Sequence, residues 1–186
     1  MAAALALSRW LLSGCMGLTS AIASELPPLA YHLATRGTGV PAEVLYAIAL
    51  QESGTLIRGV FIPWPWTLNV AGKPYRFAYR DSACDALLLA IYEVGAKSVD
   101  AGLGQINIGW NGEYFTHPCE ALDPYRNLAV ASALLQQRKT TDNNWVVAAG
   151  RYHRPAGGAA AARYRASFSR HLSRITQPPL QGMKAP

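Results

Sequence analysis

One carboxylate stands out as a candidate acid: Glu52, which lies two residues before Gly54. Pro41 opens the preceding segment and suits the first position of a helix, where its missing N–H would be unpaired anyway. Val44, Ile48 and Glu52 recur every four residues and therefore lie along one stripe of that helix, which Gly54 is expected to end in the left-handed conformation. If the stripe faces the core, the Glu52 carboxyl is partly desolvated, which raises its pKa as a general acid requires near neutral pH. The ordinary alternative is a solvated glutamate near a helix end.

A second polar segment follows at 101–107, with the sequence Ala-Gly-Leu-Gly-Gln-Ile-Asn. Its glycines allow the backbone to approach a ligand closely, and the amides of Gln105 and Asn107 donate as well as accept hydrogen bonds. These properties suit the acetamido and hydroxyl groups of an amino sugar. A third segment at 148–153 places the phenol of Tyr152 after a short apolar helix.

The order and spacing of the three segments resemble the soluble lytic transglycosylase family. Its lysozyme-like domain carries Glu-Ser, then Gly-Leu-Met-Gln-Ile-Asn, then a Tyr-containing motif. The resemblance covers roughly Leu26 to Arg174, and the stretch 64–70 is similar to one in the branch associated with conjugation and secretion systems. The chain departs from the pattern at Gly104, where methionine is usual, and at His153, where many members have asparagine.

The resemblance implies a peptidoglycan lytic transglycosylase that uses one acid and needs no cofactor or metal. Glu52 would protonate the oxygen between N-acetylmuramic acid and N-acetylglucosamine while the substrate's N-acetyl group assists at the anomeric carbon. Glu52 would then take the C6 hydroxyl proton, leaving a 1,6-anhydromuramyl end. Glycan strands are the implied ligand, and a conjugation or secretion machine is the implied partner. The implied catalytic residue is Glu52, and the implied substrate-binding residues are Ser53, Gly102, Leu103, Gln105, Ile106, Asn107 and Tyr152.

Two of these residues have specific expected roles beside the acid. Ser53 would orient the Glu52 carboxyl by a hydrogen bond, and Tyr152 would reach toward it across the cleft. A helix-end hydroxyl and a core tyrosine are the ordinary alternatives. Four aromatic residues would either stack on sugar faces or pack in the core: Trp64, Trp66, Trp110 and Tyr114.

Two other functions stay open at this stage. A hydrolytic muramidase would need a second carboxylate, and Glu93, Asp100 and Glu113 are the candidates. A non-catalytic peptidoglycan-binding assembly factor is the alternative from another class. Metal catalysis has little support, because the four histidines include no His-x-x-x-His pair.

The N-terminal segment is typical of an exported protein. Residues 1–23 resemble a secretory signal peptide in which Arg9 precedes an apolar run and Ala21-Ile22-Ala23 forms an A-x-A cleavage site. This predicts a periplasmic protein with no transmembrane segment in the mature chain. The Leu-Ser-Gly-Cys run ending at Cys15 offers lipid anchoring as the competing interpretation. Lipid anchoring is disfavoured because it would leave only Trp10, Leu11 and Leu12 as the apolar run between Arg9 and Ser13, which is shorter than the apolar region that a signal peptide needs.

The remaining two cysteines, Cys84 and Cys119, are expected to form a disulfide, because the periplasm is oxidising. The bridge would close a loop that contains the 102–107 segment and would brace it. Two buried thiols that never meet are the alternative.

The net charge of +6 favours anionic surfaces such as peptidoglycan. A nucleic-acid role is disfavoured by the export signal and by the helical spacing of the basic residues near the C-terminus. There, Arg163, Arg165, Arg170 and Arg174 interleave with apolar residues and fit a solvated helix face.

The pattern along the chain predicts a mainly α domain with a small β-hairpin over residues 24–175, followed by a flexible tail over 176–186, and the resemblance implies that this domain is of the α+β lysozyme-like type. Residues 98–112 are expected to be mostly irregular. One β-hairpin is expected to pair 66–70 with 75–79. Helices are expected at 26–35, 41–53, 81–92 (capped by Asp81 or Ser82), 124–138 (capped by Asp123), from Asn143 or Asn144 to Tyr152, and 159–174.

Overall fold

The computed structural model describes residues 25–140 and 144–177. These residues form a mainly helical α+β domain with small antiparallel sheets, as the sequence predicts. The expected signal peptide, 1–23, lies outside the described residues, and so do residues 178–186 of the expected tail. The sequence predicts that this tail starts at residue 176, but Thr176 is the last residue of a helix. The helices are α1 (Leu29–Ala34), α2 (Ala42–Ser53), α3 (Arg80–Val94), α4 (Ile108–Asn111), α5 (Pro124–Gln137), α6 (Trp145–His153) and α7 (Gly158–Thr176). The strands are β1 (Gly54–Ile57), β2 (Val60–Pro63), β3 (Thr67–Val70), β4 (Lys73–Arg76), β5 (Val99–Ala101) and β6 (Ile106–Asn107). Short 3₁₀ helices occupy Ala96–Ser98, Gly112–Tyr114 and Pro118–Leu122.

Helix α2 is the centre of the core. Its sequence is apolar on all sides from Val44 to Leu50, as expected for a helix enclosed by other elements. Leu45, Ala47 and Ile48 are fully buried, and α1, α5, α7 and the β1–β2 hairpin surround the helix. The polar end of this helix therefore carries Glu52 out of a rigid core.

The sheets are more extensive than the single hairpin that the sequence predicts. Strands β4, β3, β5 and β6 form one antiparallel sheet in that order, and β1 pairs with β2 in a second. The turn between β3 and β4 has positive φ at Ala71 and Gly72, so β4 begins two residues earlier than expected. The expectation that 98–112 is irregular is wrong, since β5, β6 and α4 lie there. These elements have only two to four residues, too few to show a period.

The register of the larger sheet aligns three polar residues. Asn69 on β3 pairs with Asp100 on β5, and Asp100 pairs with Asn107 on β6. Residues directly opposite each other in antiparallel strands share a face of the sheet. One face of the sheet thus presents a row of amide, carboxylate and amide.

Helix capping follows the sequence at two of three predicted sites. Asp123 accepts a hydrogen bond from the Arg126 N–H at 2.9 Å, and Asn144 accepts one from the Val146 N–H at 2.9 Å. The predicted cap of α3 is wrong, because that helix begins at Arg80, ahead of both Asp81 and Ser82, and has no side-chain cap.

The expected left-handed conformation of Gly54 is also wrong, since its φ is −56°. A Cβ at this position would overlap the Leu50 carbonyl oxygen and the Phe61 ring. Glycine is therefore required by space at this position, where β2 crosses the end of α2.

Cys84 and Cys119 form the predicted disulfide, with their Cα atoms 5.2 Å apart. The bridge joins α3 to the 3₁₀ helix Pro118–Leu122 and closes the loop that contains β5 and β6. Among the described helices, none is long and apolar enough to cross a membrane.

Candidate active site

A polar cleft of about 270 Å³ lies where the end of α2 meets the larger sheet, α5 and α6. The sheet supplies one wall, and the ends of α5 and α6 supply another. The cleft is lined by Glu52, Asn69, Asp100, Gln105, Ile106, Asn107, Asn111, Leu134, Arg138, Tyr152 and His153.

Glu52 is the strongest candidate acid in this cleft. The pKa of its carboxyl is raised from 4.5 to about 7, chiefly because burial disfavours the charged form. The negative charge of Asp100 contributes to this rise. The Tyr164 hydroxyl donates a hydrogen bond to Glu52 Oε1 at 2.6 Å, which lowers the pKa and fixes the carboxyl. Glu52 is thus half protonated near neutral pH, the condition in which one group can act as acid and then as base.

Asp100 is the second carboxylate of the cleft, presented by β5. Burial raises its pKa, while a hydrogen bond from Asn107 Nδ2 to Asp100 Oδ1 at 2.7 Å lowers it. The other two candidates for a second carboxylate, Glu93 and Glu113, are exposed and do not line the cleft. The structure therefore reduces three candidates to one.

Asn69 leaves a hydrogen-bonding group unused in the cleft wall. Its Oδ1 atom is buried and accepts no hydrogen bond from any described residue. A buried carbonyl without a donor is destabilising, by about 1–3 kcal/mol. A ligand N–H or a water molecule would satisfy it.

Tyr152 lies beside Glu52 but bonds elsewhere. The sequence predicts that Tyr152 reaches toward Glu52, but its hydroxyl donates to the Gly104 carbonyl oxygen at 2.7 Å, and the hydrogen bond to Glu52 comes from Tyr164. Burial raises the pKa of Tyr152, and the Glu52 charge adds to that effect. His153 stacks on the Tyr164 ring with centroids 4.6 Å apart, and desolvation lowers its pKa.

The glycine-rich segment is held by a buried amide from α5. Asn127 Oδ1 accepts from the Gly104 N–H at 2.8 Å, and its Nδ2 donates to the carbonyl oxygens of Ala101 and Ala121. Gly102 has φ of +81°, and a Cβ there would overlap the Asn127 side chain. Gly102 therefore permits close approach of a protein side chain.

Gln105 and Asn107 frame the cleft through the backbone. Gln105 Nε2 donates to the carbonyl oxygens of Gly102 and Thr67, at 2.8 Å and 3.1 Å. Asn107 caps α4 by accepting from the N–H groups of Gly109 and Trp110. Both side chains also line the cleft, where the Asn107 amide already makes four hydrogen bonds within the protein.

Five of the eight residues predicted for the site line this cleft: Glu52, Gln105, Ile106, Asn107 and Tyr152. Ser53, Gly102 and Leu103 are buried and do not line it. The Ser53 hydroxyl lies 2.9 Å from the Leu103 carbonyl oxygen and 3.0 Å from that of Ala49, so it ties α2 to the glycine-rich segment. Its expected hydrogen bond to the Glu52 carboxyl is absent.

The space next to Gly104 is filled by other protein atoms. A Cβ at Gly104 would lie 2.7 Å from the Ala131 Cβ and 2.9 Å from the Tyr152 hydroxyl. The position of the usual methionine side chain is therefore occupied by α5 and α6.

The four aromatic residues considered as sugar-stacking groups do not line the cleft. Trp64 donates its indole N–H to the Phe77 carbonyl oxygen at 2.7 Å, and Trp66 and Tyr114 pack against the core. Trp110 is 64% exposed with the Lys97 ammonium over its ring.

Tyr164, Asn69 and Asn127 are among the residues of the site that sequence reasoning missed. Tyr164 looks like a core residue in an alternating basic and apolar helix, and only its hydroxyl has a role. Asn69 was missed because no periodic pattern in the sequence around it indicates that its side chain faces a cleft. Asn127 could have been found, because it lies four residues before Ala131 on the apolar stripe of α5, where a buried amide needs partners.

The arrangement can deliver a proton to a bound ligand and can hold a second carboxylate beside it. Across residues 25–140 and 144–177, no group of His, Cys, Asp and Glu side chains is placed to hold a metal ion. No protein-family model, curated protein or solved structure matches the chain.

Proposed function

We propose that this protein is a peptidoglycan lytic transglycosylase that cleaves the β-1,4 bond between N-acetylmuramic acid and N-acetylglucosamine. The observation that carries the proposal is the Glu52 carboxyl, which lines a polar cleft, is held by the Tyr164 hydroxyl at 2.6 Å and has a pKa raised to about 7. The order of the three sequence motifs supports the same assignment.

In the proposed reaction Glu52 first acts as the acid. It gives its proton to the glycosidic oxygen as the bond from the muramyl C1 breaks, and the substrate's N-acetyl oxygen bonds to C1. The muramyl C6 hydroxyl then attacks C1, the N-acetyl oxygen leaves, and the Glu52 carboxylate takes the hydroxyl proton. No water is consumed, and Glu52 ends protonated as it began.

The cleft walls offer partners for an acetamido group. Asn69 Oδ1 is buried without a donor and is placed to accept the acetamido N–H. Gln105, Asn107 and Asn111 add further amides. Tyr164 holds the carboxyl in position, and the buried Ser53 hydroxyl holds the segment that carries Gln105.

A hydrolytic muramidase is the second candidate, and Asp100 favours it. This carboxylate shares the cleft with Glu52, and its charge acts on the Glu52 pKa. In that reaction Asp100 would stabilise or bond to the sugar C1, and water would complete the cleavage. The product would then have a reducing end.

The test is the release of soluble fragments from purified sacculi, followed by mass analysis of their ends. The proposal predicts anhydromuramyl ends from the wild-type chain and none from Glu52→Gln. Glu43→Gln, the same substitution in the first turn of α2, is the matched control and should retain activity. Reducing ends would establish the muramidase instead, and intact sacculi with a folded chain would favour a non-catalytic wall-binding role.

The location and partner follow from the same proposal. A periplasmic protein fits the Cys84–Cys119 disulfide, which is compatible with an oxidising compartment. Local wall opening for a conjugation or secretion machine rests on the resemblance of the 64–70 stretch.

A further inference from the structure

Arg138 is a cation in the cleft wall that has no anionic partner among the described residues. It follows α5 and is partly buried. Leu134, one turn earlier on the same face, also lines the cleft, so this face of α5 is directed into it. Within the described chain, the guanidinium makes no hydrogen bond or ion pair, although Asp100 lines the same cleft.

The end of a helix favours a cation for its own reasons, because the last carbonyl groups carry partial negative charge. Position alone would therefore not indicate a ligand. Arg138 also lines the cleft, is partly buried and has N–H donors that no described residue uses. These three features together indicate a carboxylate ligand, because a guanidinium binds a carboxylate through two parallel hydrogen bonds.

We propose that Arg138 binds a carboxylate carried by the muramyl sugar and so selects anionic peptidoglycan strands over neutral glycans. This inference rests on the proposed function for its ligand. Two sources supply the carboxylate: the lactyl group on the sugar, when it is free, and the stem peptide attached to that group. Neither exists on a strand of N-acetylglucosamine alone.

The test measures binding by calorimetry in the Glu52→Gln background, so that no ligand is cleaved. Three tetrasaccharides are the probes: alternating muramyl strands with free lactyl groups, the same strands with stem peptides, and neutral chitotetraose. Arg138→Gln, Arg138→Lys and Arg36→Gln are compared. Arg36 is exposed in the turn after α1, outside the cleft, so its substitution controls for loss of one positive charge.

Arg138→Gln is expected to weaken binding of a muramyl strand at least tenfold and to leave chitotetraose binding unchanged. Arg138→Lys should restore part of the loss, and Arg36→Gln should have no comparable effect. A loss on the free-lactyl strand identifies the lactyl carboxylate, whereas a loss only on the peptide-bearing strand identifies the peptide.

Equal weakening of chitotetraose, equal weakening by Arg36→Gln, or no binding of any strand would overturn the inference. Failure of the proposed function is seen separately, as absence of cleavage by the wild-type chain. Thermal unfolding of each variant verifies that the fold is intact.

Discussion

Two side chains act on the Glu52 carboxyl in opposite directions. The Tyr164 hydroxyl stabilises the charged form by donating a hydrogen bond, while the Asp100 charge destabilises it. Because the protonated form is the acid, activity should be lost as pH rises through the Glu52 pKa. The pH at which activity falls on the alkaline side of the pH–rate profile, its alkaline limb, therefore depends on the effects of both Tyr164 and Asp100 on the Glu52 pKa.

Tyr164→Phe should move the alkaline limb of kcat/KM to higher pH, because it removes the bond that lowers the Glu52 pKa. It keeps the ring that stacks on His153. We also expect kcat to fall roughly ten- to hundred-fold, since the carboxyl is no longer held in place. Asp100→Asn should move the same limb to lower pH. This description of the site would be contradicted if Tyr164→Phe and Asp100→Asn moved the alkaline limb in the same direction, or if neither variant moved it.

Asp100→Asn also separates the two candidate reactions. A transglycosylase that relies on Glu52 alone should keep much of its kcat, whereas a muramidase should lose roughly a hundred-fold or more. Initial rates on a soluble muramyl tetrasaccharide give this measurement.

Glu52 should weaken the fold at neutral pH. The unfolded chain releases this proton above pH 4.5, but the folded chain holds it to about pH 7, so stability is lost as pH rises between these values. Glu52→Gln removes this penalty and should stabilise the protein by about 3 kcal/mol at pH 8, with little gain at pH 4.5. Urea unfolding at both values tests it, with Glu43→Gln as control. A pH-independent difference would contradict the pKa.

Among the helices and strands, those with a repeating apolar pattern could be predicted from the sequence, whereas the shortest strands could not. The helix of Val44, Ile48 and Glu52 was predictable because its period is clear, and Asn144 because its side chain caps a helix. The strands β5 and β6 were not, because they are defined by pairing with β3 and with each other. Asp100 consequently remained one of three candidates until the sheet register placed it in the cleft.

Side-chain partners in the site were less predictable than side-chain identities. Tyr152 and Tyr164 both lie near Glu52, and the sequence motif points to the first. The hydrogen bond goes to Tyr164, which lies on α7, packed against α2. Such a choice depends on how two helices pack, and no local pattern encodes it.

Introducing at Gly104 the methionine that is usual in the similar sequence motif should be destabilising. Gly104→Met places a side chain where Ala131 and the Tyr152 hydroxyl lie, so we expect a loss of about 1–3 kcal/mol. Denaturant unfolding measures it, and Ala131→Gly in the same chain should recover part of the loss. A Gly104→Met variant as stable as the wild type would show that α5 and α6 have room here.

For the whole molecule, the disulfide is the main long-range constraint on the cleft. Cys84 and Cys119 are 35 residues apart, and the closed loop includes Asp100, Gln105 and Asn107. Replacing both cysteines by alanine should reduce the free energy of unfolding by about 4 kcal/mol. Urea unfolding of the variant and of the reduced wild type should agree. A loss below about 1 kcal/mol would mean that the core alone fixes the sheet.

The proposed reaction depends on a Glu52 carboxyl that keeps its proton up to about pH 7. The direct measurement is a carbon NMR titration of the chain labelled at the glutamate carboxyls, with Glu52→Gln run in parallel for assignment. We predict one resonance with a midpoint of about 7 that is missing from the variant. A Glu52 resonance that titrates near 4.5 would contradict the account, because the cleft would then hold no acid at the pH of the reaction.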